Sequence, residues 1–186
     1  MWDLGNGHAR LDTGHSRLKK MQGQIDRWRQ TDEGREYMAS LESAYAKENV
    51  PKILAESDPH VTIWPNLMLT SVQVRVIRPL AANRTEVIAH PAMLKDVPPS
   101  INEDRLRSHE NFHGPAGFGG PDDYEIFERN QTGLQATVDP WVLLSRGLAS
   151  EELRADGSRV GGISDEVAQR GMLREWQKVM SIKDAL

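Results

Sequence analysis

Between Ser108 and Gln135 the chain reads SHENFHGPAGFGGPDDYEIFERNQTGLQ, and this stretch limits the fold more than any other. Gly114, Pro115, Gly117, Gly119, Gly120 and Pro121 exclude a regular helix or central strand across the loop they form. Two carboxylates, Asp122 and Asp123, follow directly. Tyr124 to Gln135 has helical periodicity, with Ile126, Phe127, Asn130 and Leu134 near one face. Glu125 stands three residues after Asp122, the spacing of a capping box with Asp122 as the cap. Both acids suit the positive end of a helix dipole. A cap needs only one of them, which leaves the other free for a different task, such as holding a metal.

The rest of the chain divides around this loop. Residues 1–33 are rich in glycine and charge, and predict a loop after Gly7 and a short helix around Ile25 to Arg29. His8 follows Gly5 and Gly7, where the backbone can approach a neighbour closely or simply turn. Residues 34–57 read as helix through Tyr37, Leu41, Ala44 and Tyr45, with a restart at Pro51 through Ile53 and Leu54 and an end at Asp58-Pro59. Residues 60–94 predict an antiparallel meander broken at Pro65-Asn66. In it Val72, Val74 and Val76 alternate with Gln73, Arg75 and Ile77, the pattern of a half-buried strand. Trp64 fits either core packing or the border of a cavity.

A proline loop over 95–101 leads into a charged helix from Ile101 to Asn111 with Leu106 among its few apolar anchors. Past Gln135, Trp141-Val142-Leu143-Leu144 is a short apolar run that fits a buried strand or the end of one, and 155–162 reads as a loop. Ser164 or Asp165 is placed to cap a last, long helix whose stripe of Val167, Leu173, Trp176, Val179 and Met180 should pack on the sheet. The fold class predicted is α+β, an antiparallel sheet covered by helices, in one domain over residues 1–186.

Composition narrows the function. The net charge is -4 with no long basic run, which argues against nucleic acid as a partner. No apolar stretch approaches the roughly twenty residues that span a bilayer. The start, MWDLGNGHARLD, lacks the basic and apolar regions of a signal peptide, so a cytoplasmic location is the expectation. There are no cysteines, hence no disulfides and no cysteine-ligated cluster in this chain.

GPAGFGGPDD and the helix after it resemble the C-terminal catalytic domain of the large (alpha) subunit of Rieske non-heme iron aromatic ring-hydroxylating dioxygenases. Further likenesses follow in the family's order: WDLGNGHA at Trp2 to Ala9, TIWPNLML at Thr62 to Leu69, VRVIRPL and RTEV at Val74 to Val87, SRGL at Ser145 to Leu148, and the segment from Asp165 to Met180. The resemblance implies a helix-grip-like fold around an apolar cavity. It also implies a mononuclear iron(II), held by two His and one carboxylate, that activates O2 to hydroxylate or dihydroxylate an aromatic ring. Matched residue by residue, the catalytic, metal-ligating carboxylate falls on Asp123, with Asp122 left as the cap. The position before Gly-Pro-Ala-Gly, which lines the family's substrate pocket, falls on His113; a hydrogen-bonded structural His fits that position equally well.

The family's two His ligands are five positions apart, and no two of His8, His15, His60, His90, His109 and His113 have that spacing. The [2Fe-2S] cluster, which needs two Cys and two His, is likewise absent. The resemblance therefore implies a fragment that lacks the Rieske domain and both His ligands. Its implied partners are the aromatic substrate, O2, reductase or ferredoxin electron donors, and neighbouring alpha and beta subunits. The alternative is a non-catalytic domain that binds apolar ligands or modulates assembly.

Overall fold

The computed structural model describes residues 1–56 and 60–182; the helix end expected at Asp58-Pro59 lies outside them. The architecture is α+β, as the sequence predicts, with one antiparallel sheet of eight strands. Its first strands were missed by periodicity. β1 (Trp2–Gly5) and β2 (His8–Arg10) form a hairpin whose turn needs positive φ at Gly5, Asn6 and Gly7. Gly7 is fixed for a second reason: a Cβ there would lie 2.6 Å from the Trp64 ring. His8 takes the structural option, since its Nδ1 accepts the Trp64 backbone N–H at 3.0 Å.

The short helix expected near Ile25 is the end of α1 (Gly14–Trp28), followed by α2 (Asp32–Ala44) and α3 (Val50–Glu56). Ile25, Met38 and Val50 make a small core among these three, joined by Trp28 and Tyr37 in edge-to-face contact. Tyr45, by contrast, is exposed.

The meander follows as β3 (Val61–Ile63), β4 (Leu67–Thr70), β5 (Gln73–Ala81) and β6 (Arg84–Pro91). Two short strands missed in the sequence, β7 (Glu152–Leu153) and β8 (Arg159–Val160), extend the other edge. The order is β6-β5-β4-β3-β2-β1-β8-β7. Leu153, Arg159, Asp3, Ala9, Thr62, Met68, Arg75 and Ala89 are directly paired from strand to strand, so they share one face.

Helices cover both ends of that face. α6 (Val167–Met180) packs on β1 and β2 through Val167, Ala168 and Gly171, while Arg174 donates to Asp3 Oδ2 at 2.7 Å. Its expected stripe is corrected: Leu173, Trp176, Val179 and Met180 face solvent. Its expected cap is corrected too, because Asp165 Oδ2 accepts the Gly162 N–H and closes the preceding turn. α4 (Pro99–His113) covers the β5 end. Its anchor is buried Ile101 rather than Leu106, which is exposed. Arg105 adds bonds to the carbonyls of Ala92 and Ser71, beside the ends of β6 and β5.

The apolar run Trp141-Val142-Leu143 is not a buried strand; it has no regular structure, and Trp141 is 83% exposed. Near it the chain does bury a charge. Arg170 donates to Glu151 at 2.6 and 3.0 Å and to the carbonyls of Leu144 and Arg146. Removing one partner strands the other out of water. Glu151→Ala is therefore expected to cost about 3 to 5 kcal/mol in urea unfolding, whereas Glu152→Ala, at an exposed pair, costs under about 1 kcal/mol.

Candidate functional site

The glycine-proline loop is positioned by the end of α4. A helix leaves its last carbonyls without partners, and here the loop returns to fill them. Gly114 N–H donates to Glu110 O, Phe118 N–H to Asn111 O and Gly119 N–H to Phe112 O, at 3.0, 3.3 and 3.0 Å. The fold-back is tight: a Cβ on Gly120 would sit 2.9 Å from His113 O. The next helix, α5 (Gly120–Gly133), thus starts against His113.

This start corrects the capping box. α5 begins at Gly120, ahead of Asp122, because Pro121 fits a first turn that needs no N–H from it. Asp123 N–H already donates to Gly119 O at 3.1 Å, so both acids lie inside the first turn and neither side chain caps it. Asp122 is exposed, whereas Asp123 is half-buried and its charge reaches His113. The expected apolar face of α5 does not pack: Ile126, Phe127 and Leu134 are exposed.

The face of β5 turned toward α4 is the polar one. Gln73 and Arg75 are buried, while Val74 and Val76 are only half-buried. The cause is the helix opposite. Arg105, His109 and His113 recur every four residues and so share one side of α4. Arg105 ties that side to the sheet, and His109 and His113 come down on Gln73 and Arg75.

Donor and acceptor chemistry orients the cluster. Arginine only donates. The Gln73 carbonyl oxygen therefore faces Arg75, accepting from Nε at 2.7 Å and Nη2 at 2.9 Å. The Gln73 amide nitrogen then donates to His109 Nε2 at 3.2 Å. His113 Nδ1 lies 3.0 Å from Arg75 Nη2 and 3.3 Å from the Gln73 oxygen; arginine, the nearer, can only donate, so Nδ1 accepts from it and the His113 proton falls on Nε2. His109, accepting at Nε2, carries its proton on Nδ1, a buried atom with no partner among the described residues.

Burial, then the Arg75 charge and His109, hold the His113 pKa below its ordinary value; Asp123 acts in the opposite direction. His60 is lowered by burial first, then by Arg17 and Arg75. His113 lines a hollow of about 500 Å³ with Pro115, Pro121, Tyr124, Glu125 and Glu128. Gln73 lines another of about 730 Å³ between α1, α4 and the β4–β5 strands.

Of the residues singled out in the sequence, Asp123 stands in the first turn of the helix that starts against His113 and lines neither of these hollows, and Trp64 lies apart against Gly7. Gln73, Arg75 and His109 were missed. Their signal was polar residues two apart on a strand and a four-residue polar repeat on the following helix, overshadowed by the valines between them. Among the described residues no three His, Cys, Asp or Glu side chains converge to hold a metal ion.

A profile of the ring hydroxylating alpha subunit (catalytic domain) family matches residues 4–182. The 2-halobenzoate 1,2-dioxygenase large subunit of Burkholderia cepacia is 33% identical over 103 residues, covering 54% of this chain and 22% of that protein. The anthranilate 1,2-dioxygenase large subunit of Acinetobacter baylyi is 35% identical over 91 residues, 47% of this chain and 19% of that protein. The naphthalene 1,2-dioxygenase system large oxygenase component of Pseudomonas putida is 32% identical over 127 residues, 64% of this chain and 28% of that protein. The chain thus matches less than a third of each relative's length. It belongs to the ring-hydroxylating alpha subunit catalytic-domain family.

Because burial, Arg17 and Arg75 lower the His60 pKa, the unfolded chain binds a proton first as pH falls. Stability from this source is whole above the unfolded value of about 6.5 and declines as pH drops from there toward the folded value. The urea midpoint should fall between about pH 7.5 and 5.5, and His60→Gln should flatten that fall. An unchanged slope in the variant contradicts the assignment.

Proposed function

We propose that this member of the ring-hydroxylating alpha-subunit family is part of the catalytic domain of a terminal oxygenase that hydroxylates or dihydroxylates an aromatic ring with O2. Support comes from the chain's relatives, named as dioxygenase large subunits, and from one observation above all. The second acid of GPAGFGGPDD is half-buried at the start of α5, with its charge acting on His113. In this reading Asp123 is the carboxylate ligand of a mononuclear iron, and His113 faces the substrate.

The donors of this chain do not make an iron site by themselves, since no three converge among the described residues. The remaining donors, and the [2Fe-2S] cluster that passes electrons on, belong in this reading to the rest of a larger subunit. Bound iron(II) would supply open coordination positions for O2. This chain's part is to hold Asp123 rigidly. The loop's bonds to the α4 carbonyls and the close Gly120 approach set where that carboxylate stands.

The same reading places the chain in the cytoplasm, served by a reductase or ferredoxin and packed against alpha and beta subunits. Among the described residues no helix is long and apolar enough to cross a membrane. The exposed Ile126, Phe127, Leu134, Trp141, Val142 and Leu143 favour burial against other parts of such an assembly.

In an alpha subunit assembled around this sequence, Asp123→Ala should remove the mononuclear iron and ring hydroxylation while the Rieske absorption persists. Asp122→Ala should keep iron and cost about 0.5 kcal/mol through the helix dipole. Iron analysis and turnover of the two variants decide it; normal values in the Asp123 variant remove the ligand assignment.

A further inference from the structure

Two helices face each other across the hollow of about 730 Å³ that β4 and β5 floor. α1 lines it with Arg17, Lys20, Met21, Gln24, Arg27 and Trp28, residues three or four apart and so on one face. α4 lines it with Ile101, Asp104, Arg105 and Ser108, at the same spacing. The walls between are aliphatic: Leu54, Leu69, Val72 and Val74 border the hollow, and each is only half-buried. The one aromatic ring that lines it, Trp28, is already engaged edge-on with Tyr37.

The rim is cationic although the chain as a whole is not. Arg17, Lys20, Arg27, Arg105 and Arg107 line the hollow against one acid, Asp104, while the net charge of the chain is -4. Cations on facing helices repel, the more so beside an apolar wall that displaces the water between them. Burial holds the pKa of Arg17 and Arg105 below the ordinary arginine value, so both charges are partly out of water. Arg105 gives its hydrogen bonds to backbone carbonyls, which carry no net charge, and the carboxylate beside Arg107 is Glu103 of its own helix. Lys20 and Arg27 form no ion pair among the described residues. A hollow built this way lacks an anion at its rim and an apolar body between its walls.

We propose that this hollow binds an aliphatic carboxylate, its tail lying along Leu54, Leu69, Val72 and Val74 and its head at Lys20 and Arg27. Methionine and branched aliphatic walls adapt to a flexible chain, whereas a flat ring gains from aromatic faces that this hollow does not offer. A space bounded by α1, α4 and the sheet suits a slender chain that carries its own charge better than a folded segment of another polypeptide. Neither Asp123 nor His113 lines the hollow, so the site stands whether or not Asp123 holds iron.

The test is calorimetric titration of the 186-residue chain with octanoate, decanoate, dodecanoate and dodecanol, each below the concentration at which it aggregates. Affinity should rise about three- to fourfold per added methylene, and dodecanoate should bind about tenfold more tightly than dodecanol. Lys20→Gln combined with Arg27→Gln should weaken dodecanoate about fivefold; both side chains are exposed, so the fold is kept. Lys19→Gln, exposed on the same helix but outside the hollow, and Trp141→Ser, on a separate apolar surface, should change nothing. A flat chain-length series overturns the tail, and equal binding of dodecanol overturns the cationic rim. A double variant that binds in full, or a control variant as weak as the double one, overturns the location. Binding of none of the probes overturns the proposal and leaves the hollow to a polypeptide segment.

Discussion

A guanidinium withdrawn from water must be given hydrogen-bond acceptors, and Arg75 receives them from an amide and an imidazole. That need sets the relation between β5 and α4. Gln73 can serve Arg75 only with its oxygen, so its nitrogen is left for His109. The arginine can only donate, so His113 must present a bare nitrogen. Three side chains are oriented by one that has no freedom in its own role. Because His113 is the last residue of α4, the same constraint fixes where the glycine-proline loop departs, and therefore where α5 begins.

Asp123 inherits its position from that sequence of contacts. The loop supplies N–H groups to the open carbonyls of α4, and Gly120 lets the new helix start against His113. The carboxylate is thus held by backbone geometry rather than by an ion pair of its own. A side chain held this way keeps its lone pairs for something else, which suits a ligand. At the far end of the same sheet face, Asp3 is buried too, but Arg174 and the Gly5 N–H already occupy it. One face of one sheet therefore carries two buried charges, one satisfied within the chain and one not.

Much of this was legible beforehand. Prolines and glycines mark the loop and the Pro65 break because their effect on the backbone is local. The N-terminal hairpin went unread because Gly5-Asn6-Gly7 sits between strands only three or four residues long, too short for periodicity to register. Errors of facing had a common cause. Apolarity alone places Leu106, Leu173 and Trp176 inward, whereas α4 and α6 pack through Ile101, His109, Ala168, Arg170 and Gly171. A helix that covers polar sheet residues must bring polar partners with it, and single-element patterns do not show which partner will arrive. The Asp122 cap failed for a similar reason: Pro121 is tolerated inside a first turn, so the helix begins before the acids rather than at them.

The protonation of the two imidazoles tests the cluster most directly. Nitrogen-15 NMR of the folded chain near pH 7 reads which ring nitrogen of each histidine bears the proton. The account requires a neutral His113 protonated on Nε2 and a His109 protonated on Nδ1. A His113 found with its proton on Nδ1, or with both nitrogens protonated, would mean that Arg75 does not hold it, and the arrangement described here would not stand.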